Sequence, residues 1–435
     1  MGALDFAHPA VRTWFEGAFK EPTTAQNKGW PAIATGRSTL LLAPTGSGKT
    51  LAAFLCAIDR LMFGTEPEKK ARLRVLYLSP LKALGVDVER NLRGPLAGIR
   101  AVAERDNHDF RSLEVGVRSG DTPQADRARM SRHPPDILIT TPESLYLMLT
   151  SNAREILHSI DVVIIDEIHA MVASKRGAHL FVSLERLEAL RQDRGPLQRI
   201  GLSATQRPLD EVARLLAGGE IDRPDAVWKP RPVEIVDAGR KRALDLTVEV
   251  PVEDMTRLGG EGPDDEEEDI DLSGPAAMGG GPPSIWPAIH PRIVELVRSH
   301  RSTMIFVNSR RLAERLAAAI NELAEEEIAL AHHGSLAKDR RKLIEDRLKR
   351  GDLPAIVATS SLELGIDMGA VDLVIQIEAP PSVASGLQRV GRAGHHVGGV
   401  SKGVMFPKYR GDLLASAAAL VRMHEGLVEA TFYPR

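Results

Sequence analysis

Ala43-Pro44-Thr45-Gly46-Ser47-Gly48-Lys49-Thr50 follows an apolar run, Leu40-Leu41-Leu42, and opens onto apolar residues at 51, 54, 55, 58, 61 and 62. A strand, a tight glycine turn and a helix start in that order make a phosphate cradle, because the turn's amides and the helix N-terminus both favour an anion. Thr45, Gly46, Ser47 and Gly48 form the turn, and glycine lets the backbone close on a phosphate without a Cβ clash. Lys49 is placed to reach the outer phosphates and the Thr50 hydroxyl to ligate Mg2+. The general pattern begins with glycine, whereas this chain carries Ala43. ATP with Mg2+ is the expected cofactor.

The same alternation extends on either side. Short apolar strands are expected at Ser38–Ala43, Leu73–Ser79, Asp136–Thr140, Asp161–Asp166 and Ile200–Ser203, with amphipathic helices between them. Buried strands separated by helices imply an α/β fold, a mostly parallel sheet covered on both faces. Ligands in such sheets lie beyond the carboxyl ends of the strands. The glycine turn, Asp166 and Ser203-Ala204-Thr205 all fall there. After Pro283 the alternation resumes, with strands expected at Thr303–Asn308, Ile328–His332, Ala355–Thr359 and Leu373–Ile377. This second α/β domain has no glycine-lysine turn, so one nucleotide is expected to serve both domains at their interface. Between the two, 255–283 is rich in Gly, Pro and acidic residues and is expected to be a flexible insertion.

Asp166-Glu167-Ile168-His169 ends an apolar strand. Phosphoryl transfer needs a carboxylate near the metal and a second group to orient the attacking water, roles given to Asp166 and Glu167. Near the N-terminus, the Gln26 amide suits the adenine edge and Phe19 could pack on the ring. In the second domain, Gln388-Arg389-Val390-Gly391-Arg392 offers Arg392 as a cation for the γ-phosphate.

Composition bounds the rest. A chain of 435 residues exceeds one core. The formal charge of −3 is uneven: residues 261–271 hold eight carboxylates and no base, and without them the remainder stands at +5. A mildly basic body is compatible with phosphate binding. The single cysteine, Cys56, excludes an internal disulfide, argues for a cytosolic setting and is read as a core residue. No apolar run is long enough to span a bilayer, so no membrane partner is expected.

The ordered series Pro22–Gln26, Ala43–Thr50, Ser79–Ala83, Thr141–Ser144, Asp166–His169, Ser203–Thr205, Thr359–Asp367 and Gln388–Gly394 resembles the two RecA-like domains of a superfamily 2 DExH-box helicase. The continuation through His396-Val-Gly-Gly-Val-Ser-Lys-Gly403 resembles the large helicase-related (Lhr) family of DNA helicases. That resemblance implies an ATP-dependent, 3′-to-5′ translocase on single-stranded DNA, with DNA repair as its setting. It places domain 1 at 1–229, domain 2 at 230–425, and the start of a linker at 426–435. It gives Gly365, Asp367, Arg389 and Arg392 to the nucleotide, and His169, Ser203 and Thr205 to coupling. Ala43 agrees with the superfamily pattern, and His395 stands where many members have a second arginine. The nucleic-acid groove is expected from Ser79, Pro80, Lys82, Ser119, Gly120, Asp121, Thr141 and Pro142 in the first domain. Asn308, Arg310, His333, Gly334, Thr359 and Ser360 supply it in the second. Two other readings fit the same residues: an RNA or RNA–DNA hybrid remodelling helicase, and an ATP-gated nucleic-acid clamp without turnover.

Overall fold

The computed structural model describes residues 2–44, 46–191, 193–204, 206–222, 227–239, 243–255, 284–363, 371–394 and 399–430. The expected residues Thr45, Thr205, Gly365, Asp367 and His395, and all but the first residue of the 255–283 insertion, lie outside the described residues. The chain divides into two units, Met1–Arg240 with Ala430–Arg435, and Lys241–Glu429.

The first unit is built on strands β1 (Thr39–Leu42), β2 (Val75–Leu78), β3 (Val115–Arg118), β4 (Ile137–Thr140), β5 (Val162–Ile165), β6 (Gln198–Ser203) and, beyond the antiparallel pair β7 (Gly219–Asp222) and β8 (Val227–Pro230), β9 (Glu234–Asp237). The sheet runs β3-β4-β2-β5-β6-β1-β9, and every neighbouring pair is parallel. Alternate residues sort to opposite faces, as a period of two requires. Leu41, Val162 and Ile164 join one apolar cluster with the helix Lys49–Phe63, while Leu40, Leu42, Val163 and Ile165 join another with the helix Lys175–Leu190. Both faces are covered, which is why the strands read as unbroken apolar runs.

The second unit repeats the plan with β10 (Leu244–Val248), β11 (Thr303–Phe306), β12 (Ala329–His332), β13 (Ala355–Ala358), β14 (Leu373–Ile377) and β15 (Ser401–Phe406). Their order is β10-β15-β14-β11-β13-β12, all parallel. Ile305 and Val307 face one cluster, and Met304 and Phe306 the other.

Two boundaries move from their expected places. The first unit passes 229, because Glu234–Asp237 pairs in parallel with β1 and closes that sheet's edge. Residues 426–429 belong to the second unit. Gly426, at φ +72°, ends the helix Arg410–Glu425, and the Glu429 carboxylate accepts the Val383 and Ala384 amides at 2.7 and 3.2 Å, capping the helix Val383–Val390. Cys56 is buried as expected, and burial pushes its thiol up to about 12.

Candidate functional site

The glycine turn leaves β1 and enters the helix Lys49–Phe63 through Gly46 and Gly48, at φ +76° and +79°. Neighbouring elements hold it. Thr23 Oγ1 donates to the Ser47 carbonyl at 2.7 Å, and Ser47 Oγ to the Pro44 carbonyl at 2.6 Å. Thr23 and Gln26 form a capping box at the start of the helix Thr24–Ala34. The Gln26 Oε1 thereby accepts the Thr23 amide at 2.9 Å, and its Nε2 lies where a Gly48 Cβ would come within 2.7 Å. So the glycine turn and the buried Gln26 amide are one construction. Phe19 is exposed and packs edge-on to Trp14, with its ring 4.8 Å from that of Phe15.

Lys49 is buried, and its ammonium has no hydrogen-bond partner among the described residues. A sequestered, unpartnered cation is costly unless an anion meets it. Together with the two left-handed glycines and the helix N-terminus behind it, this fits a polyphosphate. Thr50 is the second residue of that helix, half-buried.

Beside β1 in the sheet, β6 ends at Ser203, which is aligned with Leu42, and the Ala43 amide donates to the Ser203 carbonyl at 3.0 Å. Next comes β5, whose last residue, Ile165, is followed by Asp166-Glu167. Asp166 is buried: one carboxylate oxygen accepts the Tyr77 hydroxyl and the other the Glu167 amide at 2.9 Å. Burial, reinforced by the Glu167 carboxylate, pushes Asp166 up to about 6. Such a group gains from a bound cation, so Asp166, with the Thr50 hydroxyl, would suit a divalent metal. Glu167 is buried at φ +47°, a conformation that costs a non-glycine residue ~1 kcal/mol or more and gathers at functional sites.

His169 completes the cluster. Its Nδ1 accepts the Ala204 amide at 3.3 Å and lies 3.3 Å from Ser203 Oγ and 3.4 Å from Glu167 Oε2. Because Nδ1 is the acceptor, a neutral ring carries its proton on Nε2, which is buried without a partner among the described residues. Burial also lowers its pKa. His169 Nδ1 is thus within reach of both Glu167 and Ser203.

The residues expected to face nucleic acid gather at the carboxyl ends of adjacent strands. In the first unit these are β2, β4 and β3. Ser79 Oγ donates to the Leu81 carbonyl at 2.8 Å, and Lys82 Nζ to Asp121 Oδ1 at 2.5 Å. The Ser119 and Gly120 carbonyls accept Arg127 Nη2 at 3.2 and 2.8 Å. Thr141 caps the helix that begins at Pro142, accepting the Ser144 amide at 3.4 Å. Arg176, which sequence reading missed, donates to the Pro80 carbonyl at 2.7 Å and pairs with Glu143, fixing the loop from outside it.

In the second unit the rim follows β11, β12 and β13. Arg310 Nη1 donates to Ser335 Oγ at 2.6 Å, Gly334 is open, and the Thr359 amide donates to the His332 carbonyl at 3.3 Å beside Ser360. His333 Nε2 lies 2.7 Å from Glu314 Oε1, and His332 is held between Ser361 and Glu345. Asn308 is exposed but bonded within its own unit: its Nδ2 donates to Glu378 and the Ala379 carbonyl at 3.1 Å each, and its Oδ1 accepts Arg389. Its side chain is thus committed inside the unit.

Arg389 differs from its expected place at the nucleotide. Fully buried over the Phe306 ring, its guanidinium donates to Glu363, Asn308 and Gln376. A sequestered guanidinium bonded to three side chains of its own unit holds that unit together. Arg392, two residues past the same helix, is also buried and donates to the Glu363 carbonyl at 2.6 Å. Sequence reading also missed Tyr77, Thr23 and Glu363. Thr23 carried a signal in the Thr-x-x-Gln spacing of a capping box, and Glu363 lay inside the motif Thr359–Asp367 without a role of its own.

Comparison with known proteins agrees with this architecture. Residues 23–212 match the DEAD/DEAH box helicase family and residues 289–396 the helicase conserved C-terminal domain. The chain is 51% identical to the Lhr helicase/probable uracil glycosylase of Mycolicibacterium smegmatis, over 98% of this chain and 28% of that protein. It is 39% identical to the ATP-dependent helicase Lhr-Core of Methanothermobacter thermautotrophicus, over 98% of this chain and 46% of that protein. The chain therefore spans less than half the length of these relatives. The structure of Mycobacterium smegmatis Lhr bound to ssDNA and AMP-PNP superposes with a TM-score of 0.84 at 53% identity, covering 100% of this chain and 52% of that one. The chain belongs to the Lhr family of superfamily 2 helicases, and its two units are the RecA-like domains of that family's helicase core.

Proposed function

We propose that this chain is an ATP-driven motor core that steps 3′ to 5′ along single-stranded DNA. The observation that carries the reading is the buried Lys49 ammonium, with no hydrogen-bond partner among the described residues, at the same sheet edge as Asp166 and Glu167. Support also comes from the Mycobacterium smegmatis relative, whose structure holds ssDNA and AMP-PNP.

In this reading the glycine turn and Lys49 bind the phosphates, the Gln26 Nε2 faces adenine, and Phe19 flanks it. Thr50 and Asp166 hold Mg2+, which neutralises charge on the phosphate oxygens when bound. Glu167 orients the attacking water and takes its proton. Arg392 stabilises the charge that develops on the γ-phosphate. Gly365 and Asp367 are assigned to the nucleotide on the family pattern. His169, Ser203 and Thr205 relay the state of the phosphates to the strand rim. That rim of hydroxyls, amides and a few bases suits a phosphate backbone gripped without reading sequence.

The test is steady-state ATP hydrolysis with Mg2+ at fixed salt, without nucleic acid, with single-stranded DNA and with matched RNA. The fixed salt matters because phosphate contacts make affinity ionic-strength dependent. DNA is expected to stimulate more than RNA. Glu167→Gln is expected to bind ATP and turn over at least ~100-fold more slowly, the scale of a lost general base. Greater stimulation by RNA turns the assignment to an RNA remodeller, and ATP binding without turnover turns it to a clamp.

A further inference from the structure

One residue, Glu363, holds both motif arginines of the second unit. It follows β13 and the short turn Ser360–Leu362, with its side chain 15% exposed. Its Oε1 accepts Arg389 Nε at 2.6 Å and Ser385 Oγ at 3.0 Å, and Arg389 Nη2 closes on the same oxygen. Ser385 and Arg389 stand four apart on the helix Val383–Val390 and so share a face, and that face is pinned to one carboxylate. The main-chain carbonyl of the same residue accepts Arg392 Nη2 at 2.6 Å. The Glu363 side chain therefore orients the helix that ends just before Arg392, and its backbone takes Arg392 itself.

We propose that Glu363 is the positioning residue for Arg392: it fixes the orientation of the guanidinium within the second unit, without itself touching substrate. This rests on the role proposed above for Arg392. The competing account makes Glu363 only the counter-ion of a buried arginine, since a buried charge pair loses stability when one partner goes. The two accounts differ in what happens once Arg392 is gone. A positioning residue then has nothing left to position, whereas a purely structural residue still damages the unit. Residues that act as one device give non-additive losses, and independent ones give losses that multiply.

The experiment measures DNA-stimulated ATP hydrolysis by the full chain and by Glu363→Gln, Arg392→Ala and the double variant. A fluorescent nucleotide reports affinity and stoichiometry of each. Glu363→Gln keeps an acceptor oxygen but removes the charge. Its kcat is expected to fall 10- to 100-fold, with nucleotide affinity and stoichiometry within twofold of the parent. In the Arg392→Ala background the same change is expected to lower kcat by no more than twofold further. Ser385→Ala, which removes one donor from the carboxylate while keeping its charge, is expected to lose two- to fivefold in kcat with the same non-additivity. It carries the test should Glu363→Gln fold poorly.

Wild-type kcat in Glu363→Gln beside a strong loss in Arg392→Ala overturns this proposal alone. So does a loss that multiplies in full with that of Arg392→Ala. Wild-type turnover in Arg392→Ala overturns the role given to Arg392 and this proposal with it. A parent chain that hydrolyses no ATP overturns the motor reading on which both stand.

Discussion

Lys49 in the first unit and Arg389 in the second are both buried cations, 7% and 2% exposed, and they are treated in opposite ways. Arg389 has Glu363, Asn308 and Gln376 as acceptors and the Phe306 ring beneath it. Lys49 has no hydrogen-bond partner among the described residues. A buried charge is tolerated when the fold satisfies it, or when a ligand's contribution is worth the cost of leaving it unsatisfied. Arg389 is thus read as fold and Lys49 as site. The His169 Nε2 falls on the Lys49 side of this contrast, being buried with no partner among the described residues.

The strongest way to break this comparison is to remove each cation. Arg389→Leu strands Glu363 and Asn308 and is expected to cost the second unit about 3–5 kcal/mol. Lys49→Met has no hydrogen bond to lose. It is expected to change stability by about 1 kcal/mol or less, while weakening nucleotide binding at least ~100-fold, or ~2.7 kcal/mol. Urea unfolding beside nucleotide titration decides the matter. Equal losses of stability would erase the distinction between the two cations.

A second test uses protons. Burial and the Glu167 carboxylate raise Asp166 from 3.8 to about 6, so the native chain holds a proton that the unfolded chain releases. That contribution to stability is fully present below about 3.8 and is lost as pH rises through about 6. At ~1.4 kcal/mol per pKa unit it amounts to roughly 3 kcal/mol at most. Asp166→Asn cannot titrate. Stability of the nucleotide-free chain minus that of Asp166→Asn should therefore fall between pH 4 and 6.5, and a difference independent of pH would refute the shift.

How far the sequence foretold all this depends on the kind of order involved. The parallel strands were legible because runs such as Leu40–Leu42 and Val162–Ile165 are apolar on both faces, and the glycine turn because its φ angles demand glycine. β3, β15 and the β7–β8 pair were missed. In β3 the residues Val115-Gly116-Val117-Arg118 are only half-buried at the sheet edge, and Ser401-Lys402-Gly403 begins β15 with no apolar signal. The candidate site was legible where its residues are neighbours in sequence, as at Asp166-Glu167. Glu363 sits 26 positions from Arg389, and Tyr77 sits 89 from Asp166. Contacts at such separations come from strand order, which short spacing rules do not carry. The inward commitment of Arg389 was hidden for the same reason, since an arginine's partners decide whether it serves ligand or fold.

The smallest expected effect sharpens the comparison most. Gly48 in the first unit and Gly351 in the second share φ +79°, but their surroundings differ. An added Cβ at Gly351 meets nothing within 4 Å, whereas at Gly48 it would come within 2.7 Å of Gln26 Nε2 and 3.5 Å of Thr23 Oγ1. Gly351→Ala thus isolates the conformational cost, about 1 kcal/mol, and should leave nucleotide binding alone. Gly48→Ala carries that cost and must also push Gln26 from its place over the turn, so nucleotide affinity should drop several-fold beyond any change in stability. Equal behaviour of the two alanines would mean that Gln26 yields freely, and that the capping box and the phosphate turn are separate structures that happen to touch. A selective loss at Gly48 would mean that the turn's shape and the amide proposed to face adenine are set together, by one glycine that no side chain can replace.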